Sequence, residues 1–451
     1  MSKKQIKKRI KKVNSISTIL KEVIKQVEVP EETKKQIEET TLRFRKQIEP
    51  ELRKISAKLF IGGSLAKNTL IKKEKNYDVD VFVLFNYKRY KTKSNQISQI
   101  LENILKKKKI NYQELKGSRN YFQIPFNNII IEVVPILEIK DVKEALNITD
   151  ISPLHVTYIT KKEKKTKNNK LSDEIKLAKS FCYAHDCYGA ESYVHGFSGY
   201  ALEVLVTYYK SFLNFIKQSS KWKFDDKKDS KIVIDPERYY KSEKKILEEI
   251  NESKKTSPLI LIDPVQKERN VTAALSQETL EKFIAACKDF IAKSSEKHFV
   301  KKRIDVNSFY HQALKQKAKF YILTVKSTKD KVDIAGAKLK KFYEFFIYFL
   351  KKAGFYIIKC NFDFDERTLD ARFYFILKDP EKEYIIQGPP VNIEKKHIEA
   401  FRYKWPNAFV KNKRLYAKAE RDLVSFELFF NKFKNSAMTK EMSIESIKLE
   451  K

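Results

Sequence analysis

The stretch from Phe60 to Phe85, F-I-G-G-S-L-A-K-N-T-L-I-K-K-E-K-N-Y-D-V-D-V-F-V-L-F, constrains the fold more than any other part of the chain. Phe60 and Ile61 close a short apolar run, Gly62-Gly63-Ser64 breaks it, and a short helical segment from Leu65 to Leu70 follows. After a basic turn, Tyr77 to Phe85 reads as a strand. Side chains alternate between the two faces of a strand. Asp78 and Asp80 therefore share one face, while Tyr77, Val79, Val81 and Val83 take the other. Two carboxylates on one face of an apolar strand repel each other and are costly to desolvate. Something positive should sit between them, and two divalent ions roughly 3.5–4 Å apart meet that need. The plain alternative is a solvated strand edge.

The Gly-Gly-Ser turn favours the metal reading. Glycines let a backbone approach a phosphate closely, and N–H groups opening a helix attract anions. Phosphate and metal binding within one hairpin is an arrangement suited to nucleotidyl transfer. A second apolar strand, Asn128 to Ile139, carries a single charge, Glu132, which needs a partner if buried. Beside the Asp78–Asp80 strand it would complete a three-carboxylate metal site; the alternative is an exposed edge.

The formal net charge of +35, from 93 basic and 58 acidic residues, points to a polyanionic partner, nucleic acid first. A lysine-biased genome is the competing explanation. A hydrophobic share of 42% in 451 residues supports two to four domains with real cores. No run of 18 apolar residues suggests a membrane span. The N-terminus, acid-free up to Glu22, reads as a basic amphipathic helix through Ile6, Ile10, Val13, Ile16, Leu20, Val23, Ile24 and Val27 rather than a targeting signal. Cys182, Cys187, Cys287 and Cys360 form no disulfide framework, and Cys182, His185 and Cys187 lack zinc-finger spacing, so a reducing cytoplasm is expected.

Further along, Ser152-Pro153-Leu154-His155 reads as a capped helix start with His155 on the first turn, followed by a polar loop at 160–171 and a helix capped by Ser172. One helix is expected from Phe197 to about Ile216, and 217–257 reads as surface with little fixed structure. The strand Pro258–Ile262 delivers a turn bearing Arg269 and Asn270, placed for recognition, although Arg269 could pair with Glu268 or Glu191. A β-α-β-β order from Phe320 to Leu377 suggests a small antiparallel sheet with helices on one face. Arg402, Lys404, Lys411, Lys413 and Arg414, interleaved with Phe401, Tyr403, Trp405 and Tyr416, suit RNA phosphates and stacked nucleotides, with snorkelling surface lysines as the alternative. A final helix spans about Asp422 to Phe433, and the last residues read as disordered.

With these motifs in order, the chain resembles the archaeal-type (class I) CCA-adding enzymes, the tRNA nucleotidyltransferases, over roughly residues 30–430. The resemblance rests on G-G-S-L-A-K-N-T at Gly62–Thr69, Y-D-V-D-V-F-V at Tyr77–Val83, I-E-V-V-P at Ile131–Pro135, S-P-L-H at Ser152–His155 and C-Y-G-A-E at Cys187–Glu191. G-F-S-G-Y at Gly196–Tyr200, I-D-P-V-x-x-x-R-N-V at Ile262–Val271 and G-P-P-V at Gly388–Val391 complete it. The first pair is shared across polymerase-β-like proteins, whereas G-F-S-G-Y followed by D-P-V-x-x-x-R-N-V is specific to the group.

The resemblance implies an α+β multidomain chain: a polymerase-β-like nucleotidyltransferase head (1–150), a helical neck (151–290), a ferredoxin-like α/β body (291–385) and a basic tail (386–451). It implies metal carboxylates at Asp78, Asp80 and Glu132, the last where the family usually has aspartate, with Mg2+ as cofactor. It implies nucleotide contacts at Ser64, Lys67 (more often arginine in the family), Ser152, His155, Lys179, Tyr188 and Arg269. The implied reaction is template-independent addition of CCA to the tRNA 3′ end from CTP and ATP, in the cytoplasm and with no membrane. Pairing of two chains into a homodimer stays open. So do two other functions: a poly(A)- or oligoadenylate-type enzyme on the same head, and a catalytically inactive RNA-binding protein.

Overall fold

Strand alternation in the first hundred and forty residues builds a five-stranded sheet with one greasy and one acidic face. The computed structural model describes residues 16–72, 76–166, 170–224, 230–436, 439 and 441–450. Residues 16–27 are helical; the earlier part of the expected basic helix, with Ile6, Ile10 and Val13, lies outside the described residues. The chain divides into two compact units, one holding residues up to Ala190 and Val194–Lys302, the other Glu191–Tyr193 and the residues from Arg303 on. Among the described residues no helix is long and apolar enough to cross a membrane.

In the first unit, β1 (Ala57–Ile61), β2 (Tyr77–Asn86), β3 (Gln113–Leu115), β4 (Tyr121–Phe126) and β5 (Ile129–Glu138) form a sheet in the order β1-β2-β5-β4-β3. Within this sheet β2 and β5 run parallel and the other neighbours antiparallel. Parallel neighbours need a long crossover, and α3 (Ile97–Lys107) lies within it. The long α1 (Glu31–Lys54) starts after Pro30, with Glu31 and Glu32 in its first turn and Arg53 and Lys54 in its last, matching the helix dipole. Phe44, Ile48 and Leu52 of α1 and Leu101 and Leu105 of α3 pack with Val79, Val81, Val83, Ile131 and Val133. The other face of β2 and β5 carries Phe82, Leu84 and Ile136, and beyond them the acids. Between β1 and β2 lies a single helical turn, α2 (Gly63–Ala66), earlier than the expected Leu65–Leu70 segment.

Asp150 fastens the end of this sheet to the turn ahead of the helical part. It is fully buried. It pairs with the Arg119 guanidinium and accepts from the N–H groups of Leu137 at 2.9 Å, Leu146 at 3.1 Å and Asn147 at 2.9 Å.

The helical part comprises α4 (Ser152–Lys164), α5 (Leu171–Ala184), α6 (Gly199–Tyr209), α7 (Phe212–Ser219) and α9 (Gln277–Ala292). Phe181, Phe197, Leu205, Phe215, Phe283 and Phe290 lie in its core. Four details differ from the expectations. α4 runs on to Lys164, into the stretch expected as a loop from residue 160. Ser152 does not cap α4, because a 3-10 turn at Ile148–Ile151 runs straight into the helix. Ser172 lies buried inside the first turn of α5 rather than ahead of it. The helix expected from Phe197 to Ile216 is broken where Lys210 takes a left-handed φ of 66° and Ser211 caps α7.

The segment at 217–257 is more ordered than its lysine-rich composition suggests, with 225–229 outside the described residues. β6 (Ile232–Ile234) pairs in parallel with β7 (Leu259–Leu261), and Ile246 and Ile250 at α8 (Glu243–Glu249) pack on Ile260 and Ile262. A few isoleucines spaced among lysines suffice for this small cluster. Cys182, Cys187 and Cys287 are free and buried, and Cys360 is free and half-buried.

The second unit holds an antiparallel sheet ordered β14-β8-β10-β9, from β8 (Lys319–Ser327), β9 (Tyr356–Asp365), β10 (Asp370–Lys378) and β14 (Ile444–Glu450). On one face α11 (Val332–Lys352) and α13 (Phe426–Lys434) pack Phe342, Phe346, Phe429 and Phe433 against Phe373 and Phe375. On the other, α10 (Val306–Lys315) sets Phe309 and Ala313 against Tyr374 and Ile376, so helices cover both faces rather than the expected one. The chain end, expected to be disordered, supplies β14 instead, because the open edge of β8 offers it hydrogen bonds. A second sheet, β11-β13-β12, comes from β11 (Glu383–Pro390), β12 (Phe409–Lys411) and β13 (Arg414–Glu420), with α12 (Lys395–Lys404) beside β11.

Removing a partner from a buried ion pair costs about 3–5 kcal/mol because the remaining charge is left uncompensated. Asp150→Ala is therefore expected to lower the urea-unfolding free energy of the first unit by that amount. An unchanged unfolding midpoint would show that Asp150 fastens nothing.

Candidate active site

The turn between β1 and β2 is laid directly against Asp80. The Gly62 N–H donates to the Asp80 carbonyl at 2.8 Å. Gly63 takes a left-handed φ of 57°, and a β-carbon on it would lie 1.7 Å from Asp80 Oδ2. Only glycine accepts both that φ and that contact. Ser64 follows, half-buried, in the same turn.

Asp80 stands directly across from Glu132 in the β2–β5 register, and Asp78 across from Ile130. Paired residues of parallel neighbours project to the same side, so all three acids share the sheet face opposite α1 and α3. Burial raises the Asp80 pKa, Lys67 opposes this, and Asp78 adds to it. Glu132 Oε1 accepts from Gln123 Nε2 of β4 at 2.6 Å. The expected shared face is present. Among the described residues no group of three or more His, Cys, Asp or Glu is arranged to hold a metal outright.

Lys67 and Lys179, expected as nucleotide contacts, lie beside Asp80 and are both paired with an acid. Lys67 Nζ pairs with Glu203 Oε2 at 2.5 Å, and Lys179 Nζ with Glu203 Oε1 at 2.8 Å. Lys179 also donates to Thr69 Oγ1 at 2.8 Å. The side chains of Lys67, Lys179 and Glu203 are only 7%, 2% and 1% exposed, so any phosphate must compete with Glu203 for them. Burial pushes the Glu203 pKa up, yet the two lysines outweigh burial and hold it below the ordinary carboxylate range. Tyr188 joins this group: its hydroxyl and Lys179 Nζ lie 3.2 and 3.7 Å from where a β-carbon on Gly199 would be. Glu203 was not anticipated, although a lone acid in the apolar run G-Y-A-L-E-V-L-V was a legible sign.

A second cluster gathers residues far apart in sequence. His155 Nε2 meets Asp263 Oδ2 at 2.9 Å, and Arg269 Nη1 lies 3.2 Å from the same oxygen. Tyr200 donates to Asp263 Oδ1 at 3.1 Å, and its ring stacks on His155 at 4.1 Å. Arg269 thus pairs with Asp263, rather than with Glu268 or Glu191, and keeps 29% of its side chain exposed. Burial lowers the His155 pKa against the pull of Asp263, which favours a neutral ring near pH 7. Burial pushes Asp263 the other way, but His155 and Arg269 keep it ionised. Asp263 and Tyr200 stood inside recognised motifs without an assigned role. Ser152, in the first turn of α4, is not part of this cluster.

In the second unit, Arg402 and Lys404 are exposed on α12, beside a Tyr403 that is 91% exposed. Lys411 and Lys413 are exposed at a β12–β13 turn in which Asn412 and Lys413 take φ of 49° and 59°. Arg414 is different: it is partly buried and donates to the Gly388 carbonyl at 2.9 Å, which makes it a brace of its own sheet.

Two family models match this chain. That of the tRNA nucleotidyltransferase second domain covers residues 173–300, and that of the second messenger oligonucleotide or dinucleotide synthetase domain covers 15–169. The CCA-adding enzyme of Nanoarchaeum equitans is 34% identical over 68% of this chain and 71% of its own length. That of Methanocaldococcus jannaschii is 27% identical over 91% of this chain and 89% of its own. That of Saccharolobus islandicus is 28% identical over 95% and 94%. With the glycine turn against Asp80, the acidic sheet face and relatives matched along most of their length, the chain belongs to the archaeal-type CCA-adding enzymes.

Proposed function

We propose that this protein adds C, C and A stepwise to the 3′ end of tRNA, using CTP and ATP and releasing pyrophosphate. The observation that carries the reading is the Asp80 carboxylate, desolvated, facing Glu132 across the strand register and lying against a turn that only glycine can make. Carboxylate oxygens on one face are hard donors suited to Mg2+. Nucleotidyltransferases of this fold generally use divalent ions, and Mg2+ held by Asp78, Asp80 and Glu132 would supply a more acidic primer hydroxyl and neutralise charge on the leaving pyrophosphate.

The protein's own groups do the rest. The Gly62–Gly63–Ser64 turn, laid against Asp80, offers its backbone N–H groups to the triphosphate, and the Ser64 and Tyr188 hydroxyls hold its phosphates. Lys67 and Lys179, set in place by Glu203, direct positive potential at the same point. This is preorganisation, with the cations placed before substrate arrives. Arg269 presents guanidinium donors to the edge of the incoming base, and neutral His155 on Asp263 offers the companion polar edge. Arg402, Lys404, Lys411 and Lys413 grip tRNA phosphates without reading sequence.

Incubating the full chain with Mg2+, labelled CTP and ATP, and tRNA lacking its 3′ end should yield a CCA-terminated product, lost on chelation and restored by Mg2+. Long tracts of A with no use of CTP would favour the poly(A)-type reading, and no product from folded protein would sink both. Asp80→Ala is expected to abolish addition with tRNA binding retained. Gly63→Ala should cut kcat about 100-fold or more, the scale of an ångström-size displacement at a reacting centre; near-normal turnover would show that Asp80 needs no contact with the turn. Arg269→Ala should raise KM for both nucleotides and erode the choice between them, measured by misincorporation. A loss of tRNA affinity with selectivity intact would instead assign Arg269 to RNA binding.

A further inference from the structure

The turn Asp263–Arg269 carries the guanidinium that faces solvent, and its shape depends on where its carbonyls find donors. Those of Gln266 and Arg269 are met inside the turn, by the N–H groups of Arg269 and Asp263, each at 3.0 Å, whereas those of Pro264, Lys267 and Glu268 find side-chain donors on the stretch that precedes β7. Tyr239 Oη donates to the Pro264 carbonyl at 2.6 Å, and Tyr240 Oη to the Lys267 carbonyl at 2.9 Å. Lys254 Nζ donates to the Glu268 carbonyl at 3.3 Å, and Asn270 Nδ2 donates back to the Lys254 carbonyl at 2.9 Å.

The same stretch is tied to the helix that bears His155. Glu237 Oε1 accepts from Tyr158 Oη at 2.6 Å and from Lys162 Nζ at 2.7 Å, both on α4. Arg238, with a left-handed φ of 55°, turns the chain between this anchor and the two tyrosines. Asp235 Oδ2 accepts the Tyr240 N–H at 2.9 Å, and Ile234 accepts the Ile262 N–H at 2.9 Å, so the stretch is itself fixed to the end of β7.

We infer that Asp235–Tyr240 is a positioning clamp, in which Tyr239 and Tyr240 hold the Arg269 turn, Glu237 holds α4, and the two together set the guanidinium against His155 for choosing the incoming nucleotide. These side chains act through backbone carbonyls and through α4, so they are positioning residues rather than catalytic ones. The inference rests on the reading of Arg269 and His155 as nucleotide-selecting groups.

The test uses the full-length double variant Tyr239→Phe/Tyr240→Phe, which keeps both rings and removes both hydroxyls. Steady-state addition to tRNA lacking CCA, misincorporation from UTP, and equilibrium dialysis of labelled CTP and ATP with Mg2+ are measured. A net contribution of about 1 kcal/mol per hydrogen bond is about fivefold, so KM and Kd for nucleotide should rise about 5- to 25-fold. Misincorporation should rise with them, while kcat and tRNA affinity hold. In an Arg269→Ala background the same pair should add nothing further, because groups acting through one partner are not additive. Unchanged nucleotide affinity and fidelity, or an undiminished effect without Arg269, overturns the clamp. Glu237→Gln, at an exposed position, must move nucleotide affinity the same way and serves if the tyrosine pair unfolds. If the wild type binds CTP and ATP but extends no tRNA, the proposed activity fails while dialysis still decides the clamp. A wild type that binds neither overturns both.

Discussion

Close contact between a carboxylate and a backbone with no β-carbon is the constraint on which the rest of the catalytic half depends. Asp80 lies so near Gly63 that the space a methyl would take is already filled by its own Oδ2. A desolvated acid in that position is expensive, and burial raises its pKa. The protein answers with Lys67 and Lys179, but two buried lysines would be as costly alone. Glu203 between them leaves one net positive charge facing the acids. The acid face, the glycine turn and the buried cation pair therefore form a single electrostatic unit.

That unit joins parts of the chain that are distant in sequence. Thr69 and Lys67 come from the loop after the glycine turn, Lys179 from α5 and Glu203 from α6. The bonds hold the sheet and the helical part in one register, so the buried cations and the acids of the sheet face keep a fixed spacing. The same logic recurs at Asp263, where a fully buried carboxylate collects His155, Tyr200 and Arg269 from three separate elements. In both places a buried acid orders the polar and basic side chains around it, and charge is spent on geometry rather than on stability.

Part of the basic surplus of the chain is placed differently, on the surface of the second unit. Lys411 and Lys413 project from a tight turn and Arg402 and Lys404 from an exposed helix face, where phosphate can reach them without desolvating a core. Arg414, one position along from Lys413 and also basic, is held by a backbone carbonyl. Composition alone cannot separate these uses, because both look like a cation among aromatics.

The local pattern of residues determined the strands β2 and β5, the face shared by Asp78, Asp80 and Glu132, the glycine turn and the motifs that mark the family. These depend on periodicities of a few residues and on the backbone preferences of glycine, proline and serine, which act over short range. Tertiary structure alone decided which charges met: Glu203 with Lys67 and Lys179, Asp263 with His155, Asp150 with Arg119. It also ordered the lysine-rich stretch before β7 and drew the chain end into the β8 edge as β14. Pairing of this kind depends on which elements are brought into contact, often across more than a hundred residues, and on the cost of leaving a buried charge or an open strand edge unsatisfied. No window along the chain carries that information.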